Sequence, residues 1–103
     1  MLVSFINNDI LGLSNDTTVA AKLLTHPNEL IRDQVSRLLN IIATDCIGRE
    51  YLLSNHCRLV TDMMHAFKLE TQDTTLRQNI LGTLQKLSLR FSDLIVGARH
   101  NLP

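Results

Sequence analysis

Apolar residues recur along this chain at three- and four-residue intervals, the period of helices that bury one face. Leu2, Phe5, Ile6 and Ile10 predict a short helix over residues 2–11, ended by Gly12 and the Ser14-Asn15-Asp16 cluster. Val19, Ala20, Leu23 and Leu24 form the stripe of a second helix, capped by Asp16 or Thr17 and running through Thr25. His26-Pro27-Asn28 is the next break, because proline disfavours helix at the residue before it and pre-sets φ for a new start. A long helix then runs to about Thr44, with Asn28 or Pro27 opening it. Leu30, Ile31, Val35, Leu38, Leu39, Ile42 and Ala43 give it a broad apolar stripe.

Gly48 interrupts the pattern, residues 49–53 fit one or two helical turns, and Asn55-His56 reads as a turn. Over residues 57–69, the positions of Leu59, Val60, Met63, Met64 and Phe67 predict a helix with one buried face. Thr71-Gln72-Asp73 breaks it, and Asp73 is the expected cap of a last strong helix from Thr74 to about Leu89. Leu76, Ile80, Leu81, Leu84 and Leu87 carry its stripe. Gly82 lies inside that helix at a cost of about 1 kcal/mol relative to alanine, which points to a close approach by another helix. The tail, residues 91–103, is helix-compatible to Val96 and frayed beyond Gly97. No stretch shows the period-two alternation of a strand.

The two long helices superpose at one offset. Ile31 and Leu76 stand 45 residues apart, and the same shift brings Arg32 onto Arg77, Val35 onto Ile80, Leu39 onto Leu84 and Asn28 onto Asp73. A period of 45 falls within the roughly 40–47 residues of HEAT and armadillo units. The order short, medium, long helix is the three-helix plan of an armadillo repeat. The expected fold is therefore all-α, an armadillo/HEAT-like α-solenoid fragment of about two repeats (1–45 and 46–90) followed by the tail. A closed helical bundle is the alternative.

Several motifs carry a family resemblance. Gly48, Leu59-Val60, Leu76-Arg77 and Leu84-Gln85-Lys86-Leu87-Ser88 resemble the armadillo pattern of a glycine break, an apolar second helix and a long third helix. More narrowly, Asn8-Asp9-Ile10-Leu11-Gly12 and the run from Asn79 to Arg90 resemble the LisH-domain armadillo-repeat family of the ciliary base. The resemblance covers roughly residues 7–90. It implies a cytoplasmic scaffold at the basal body and centriole that acts in cilium assembly or signalling. Two departures stand against the family pattern: the LisH segment is absent, and residues 91–103 do not look like a continuing repeat. A fragment or shortened form is the expectation.

Composition narrows the chemistry. The chain has 103 residues, 45% hydrophobic and 19% charged, with no Trp, so a helical core of Leu, Ile, Val and Met is expected. Ten basic and ten acidic side chains give a net charge of zero. Nucleic-acid binding, which draws on a basic excess, is not expected. No apolar run approaches the roughly 20 residues of a membrane span, and the apolar start lacks the basic leader of a signal peptide. Cys46 and Cys57 do not suggest a disulfide framework, so a reducing compartment is expected. Asn15-Asp16-Thr17 has the form of a glycosylation acceptor and is read as loop and cap.

Catalytic and cofactor chemistry finds little support. Zinc needs four converging ligands, whereas adjacent His56 and Cys57 diverge and Cys46 and His65 lie apart with no C-x-x-C, so no metal site is expected. The four glycines are dispersed and none precedes Lys-Ser or Lys-Thr, so no phosphate loop and no cofactor is expected. Nothing marks a base or oxyanion site beside either cysteine. In nuclear-import armadillo proteins, Trp and Asn on the third helix clamp an extended peptide. The corresponding positions here hold Arg37 and Gly82, and Ile41 and Lys86, so that clamp is not expected. On the same helix face Asp33, Arg37, Gln78 and Lys86 are candidate protein-binding residues, although a solvated face also explains them. The reading is a non-enzymatic protein-interaction scaffold with protein partners. The alternative is a small self-contained helical adaptor that binds a partner helix. Stacked repeats cut from a longer array expose apolar helix faces at both ends and self-associate through them; a closed bundle does not.

Overall fold

The computed structural model describes residues 2–13 and 18–100. Among these residues the chain is all-helical: α1 (Leu2–Asn7), α2 (Val19–Leu24), α3 (Glu29–Ile42), α4 (Cys46–Leu52), α5 (Ser54–Leu69) and α6 (Thr75–His100). Helices of 6, 6 and 14 residues are followed by helices of 7, 16 and 26, so each half ends on its longest helix.

Local chemistry sets the boundaries. The expected caps Asp16 and Thr17 lie outside the described residues. The hydroxyl of Thr18 caps α2 instead, accepting from the Ala21 N–H at 2.9 Å. Asn28 Oδ1 accepts from the Leu30 N–H at 2.9 Å, as its position predicts. Asp45 caps α4 in the same way, accepting from the Ile47 N–H at 2.8 Å. At α6 the cap is one residue later than expected: Thr74 Oγ1, not Asp73, accepts from the Arg77 N–H at 3.4 Å. The cap match that aligned Asn28 with Asp73 is therefore displaced by one position.

Gly48 is not a break. It is buried inside α4, where its α-carbon lies against the Ile42 carbonyl at the end of α3 and leaves no room for a methyl. Asn55 and His56 do form a turn, together with Cys57, with φ of 53°, 59° and 58° in the left-handed region at the opening of α5. α6 continues past Leu89 to His100.

The six helices stack as three pairs, α1 with α4, α2 with α5 and α3 with α6, the last sharing the most extensive contact. Hydrogen bonds between distant segments keep a nearly constant separation. Tyr51 to Asp9 spans 42 residues, Thr18 to Asp62 spans 44, Asn79 to Ser36 spans 43 and Lys86 to Asn40 spans 46. Contacts that advance together along both helices make α3 and α6 parallel. A closed antiparallel bundle would instead scatter these separations. The observed pattern is that of two solenoid units side by side.

The core runs through both units. Leu13, Leu24, Leu39, Leu52, Leu59, Met63, Leu76 and Ile80 are fully enclosed. Each such side chain contributes about 1.5–3 kcal/mol by leaving water. Apolar side chains also remain exposed at both ends, among them Val3, Leu30 and Ile41 on the first unit and Leu69, Leu81 and Leu89 on the second. Stacked repeats cut from a longer array expose such faces, and a closed bundle does not.

Candidate functional site

The parallel α3–α6 joint presents the two third helices as one surface. Its inner contacts are small and polar. The Ser36 hydroxyl donates to the Asp33 carbonyl at 2.8 Å and accepts from Asn79 Nδ2 at 3.2 Å. Thr83, also buried, donates to the Asn79 carbonyl at 2.7 Å. Gly82 lies over Asn40: a methyl there would stand 3.3 Å from both amide atoms, so the close approach expected of this glycine is present.

The four candidate binding residues fall on this surface in different circumstances. Arg37 and Gln78 are exposed, and Asp33 and Lys86 are half-buried. Asp33 and Gln78 occupy the same position of the 45-residue repeat. Lys86 is engaged within the joint: its ammonium donates to the Asn40 carbonyl at 3.1 Å and to Thr44 Oγ1 at 2.9 Å, satisfying groups at the end of α3. Asp33, Arg37 and Gln78 are the members whose side chains show no such engagement across the joint.

Arg32 and Arg77, paired by the repeat, do matching work. Arg32 Nη1 donates to the His26 and Pro27 carbonyls at 2.7 and 3.0 Å. Arg77 Nη1 donates to the Glu70 carbonyl at 2.6 Å while its guanidinium stacks 4.0 Å from the Phe67 ring centre. Each ties the end of the second helix to the third. Sequence periodicity flagged the pair but not its task, because the accepting carbonyls belong to a turn.

A second cluster escaped sequence reasoning. The Tyr51 hydroxyl donates to Asp9 Oδ1 at 2.7 Å and accepts from the Leu11 N–H at 3.2 Å. Asp9 also accepts from the Leu13 N–H at 2.9 Å, and Asn55 Nδ2 donates to the Leu13 carbonyl at 2.6 Å. Burial, with the neighbouring Asp9 carboxylate, holds the Tyr51 phenol well above its usual range, so it remains a donor. The cluster pins the segment after α1 onto the second unit. Its one legible signal is Asn8-Asp9 before Gly12, a turn motif.

A shallow cleft of about 270 Å³ opens where the second and third helices of the two units meet, lined by Leu24, Thr25, Arg32, Leu69, Glu70 and Leu76. The Arg32 Nη1 beside it is taken up by backbone carbonyls. Among the described residues, no group of three or more His, Cys, Asp or Glu side chains converges as a metal site would require. Nor, among them, is any helix long and apolar enough to cross a membrane.

Comparison with known proteins places the chain. No family model matches it, and no solved structure matches it. Curated relatives do. It is 38% identical over 91 residues to LisH domain-containing protein ARMC9 of Danio rerio, covering 87% of this chain and 11% of that protein. The ARMC9 proteins of Xenopus laevis and Homo sapiens are 37% and 34% identical over 93 and 91 residues, or 89% and 87% of this chain, and again 11% of the relative. The chain thus spans about 11% of the length of these relatives. With more than a third of its residues identical to theirs over nearly nine-tenths of its length, the chain is homologous to one segment of the LisH domain-containing protein ARMC9 family.

Proposed function

We propose that this chain is a non-enzymatic protein-interaction module, built of two armadillo-like units over residues 1–45 and 46–90, whose partner contacts lie on the third helices. The observation that carries the reading is the parallel α3–α6 joint, beside which Arg37 and Gln78 are exposed and Asp33 half-buried. Solenoids bind through such repeated helix faces and need no catalytic group. Side chains of both polarities, drawn from a chain of zero net charge, suit a protein surface better than a phosphate backbone. The resemblance to the LisH-domain armadillo-repeat proteins supports a cytoplasmic site of action at the basal body and centriole, in cilium assembly or signalling.

Proximity labelling from the tagged chain in ciliated cells tests both parts. Centriolar proteins should dominate the labelled set, and the Asp33→Arg, Arg37→Glu double variant, with helix content intact, should lose most of it. A labelled set unchanged by the double variant would sink the third-helix site. A set with no centriolar proteins would sink the ciliary placement.

A further inference from the structure

The two units carry the same joint in opposite states of cover. Leu24 is 1% exposed beneath the second unit, whereas its counterpart Leu69 is 61% exposed. Ser36 is fully buried under α6, and its counterpart Leu81 is 48% exposed. Leu89, the counterpart of Thr44, is likewise open. These residues mark an acceptor face on α6 and the end of α5, equivalent to the face of α3 and α2 that the second unit covers.

The other end shows the reverse. Asn79, Gly82, Thr83 and Lys86 are the positions by which α6 rests on α3. Their counterparts on α3 are Gln34, Arg37, Leu38 and Ile41, all exposed, with Ile41 at 63%. The chain therefore displays both halves of one joint, at opposite ends and in the same register. The outer halves are the more apolar: Leu38 and Ile41 stand where the inner joint has Thr83 and Lys86, and Leu81 and Leu89 stand where it has Ser36 and Thr44. Superposing the outer halves on the inner joint sets Ile41 beside Leu89 and puts Arg37, in place of Gly82, against uncharged Gln85; the larger side chains would hold the outer faces further apart than α3 and α6, and no like charges meet at these positions.

We infer that the α6 face is occupied by the α3 face of a second copy of this chain, docked head to tail. The inference rests on the interaction-module reading and names one partner for it. Such a contact is heterologous: each copy added leaves one face of each kind free, so the assembly grows without closing.

Sedimentation velocity of the 103-residue chain over a wide concentration range tests this. The average mass should rise continuously past that of a dimer. Leu81→Glu spoils the acceptor face and Ile41→Glu the donor face, so each variant alone should stay monomeric. An equimolar mixture should form a dimer and nothing larger, because one intact face of each kind remains. A wild-type monomer at every concentration would overturn the proposal. So would association that Leu81→Glu abolishes but Ile41→Glu spares, which would mean an α6 face pairing with itself, or a variant mixture that stays monomeric. Circular dichroism checks that both variants fold. Should either lose helix, Leu89→Lys and Leu38→Lys address the same two faces. Proximity labelling repeated with a monomeric variant separates the two readings: labelled partners retained without self-association leave the interaction module standing and remove only the second copy.

Discussion

Arg32, Arg49 and Arg77 each reach back across a break in the chain to carbonyls at the end of the preceding helix. For Arg49 these are Ala43 and Thr44, both at 3.1 Å. Orphan carbonyls are a fixed feature of helix C-termini, and a guanidinium can serve two of them at once. Tyr51 performs a comparable task between units, and its side chain is the chain's single phenol, with no Trp to obscure it. Tyr51→Phe should cost about 1–3 kcal/mol, because the Asp9 carboxylate and the Leu11 N–H lose a buried partner; urea unfolding measures it. The folded phenol holds its proton more tightly than the unfolded one, whose pKa is about 10. Its contribution to stability is therefore complete below about pH 10 and is lost as pH rises from there towards the folded value. In an alkaline titration, tyrosinate absorbance should appear together with loss of helix. A phenol that ionises near pH 10 with the helices intact would contradict the cluster.

At the level of elements, hydrophobic period located most helices, because each must bury a stripe. It did less well where one atom decides. Gly48 looked like a terminator in sequence, yet it is glycine because Ile42 leaves no space for a methyl, a fact that belongs to packing and not to propensity. Gly82, read in sequence as a helix-interior glycine at a close approach, meets only the Asn40 side-chain amide, which need give only a few tenths of an ångström. The two should respond differently to alanine. Gly48→Ala should lose about 1–3 kcal/mol or more, since backbone must move. Gly82→Ala should stay within about 1 kcal/mol of wild type, because the helix gains what the amide gives up. Thermal unfolding of both variants compares them directly, and equal losses would refute the distinction. The one-residue displacement of the α6 cap has a similar origin: Asp73 and Thr74 are both capable caps, and only the path of the turn selects between them.

Across the whole molecule, repetition was the most legible property, since Arg32 with Arg77 and Leu39 with Leu84 share an offset visible in the chain. What repetition concealed was asymmetry. Leu39 is fully buried, whereas Leu84, its counterpart, is only partly covered. Leu39→Ala should cost about 2–5 kcal/mol, and Leu84→Ala distinctly less, about 1–2 kcal/mol, because part of its side chain already meets water. Chemical denaturation separates them, and equal costs would argue that the two units are covered alike. The candidate binding residues were legible as a helix face. Lys86 could not be recognised in sequence as a member of the joint, because the Asn40 carbonyl it satisfies becomes its neighbour only once the units stack.

The near-constant separation of the cross-unit hydrogen bonds also governs how the molecule forms. Closing a loop costs entropy that grows only as the logarithm of its length, and each joint here closes a loop of almost the same size. No joint has a topological head start. The first to close brings the ends of all the others together, and those then form without a search of their own. The helix pair with the largest shared surface, α3 with α6, is the natural first contact. The expected kinetics are a single encounter of α3 with α6 followed by rapid zippering, which stopped-flow circular dichroism should read as one refolding phase.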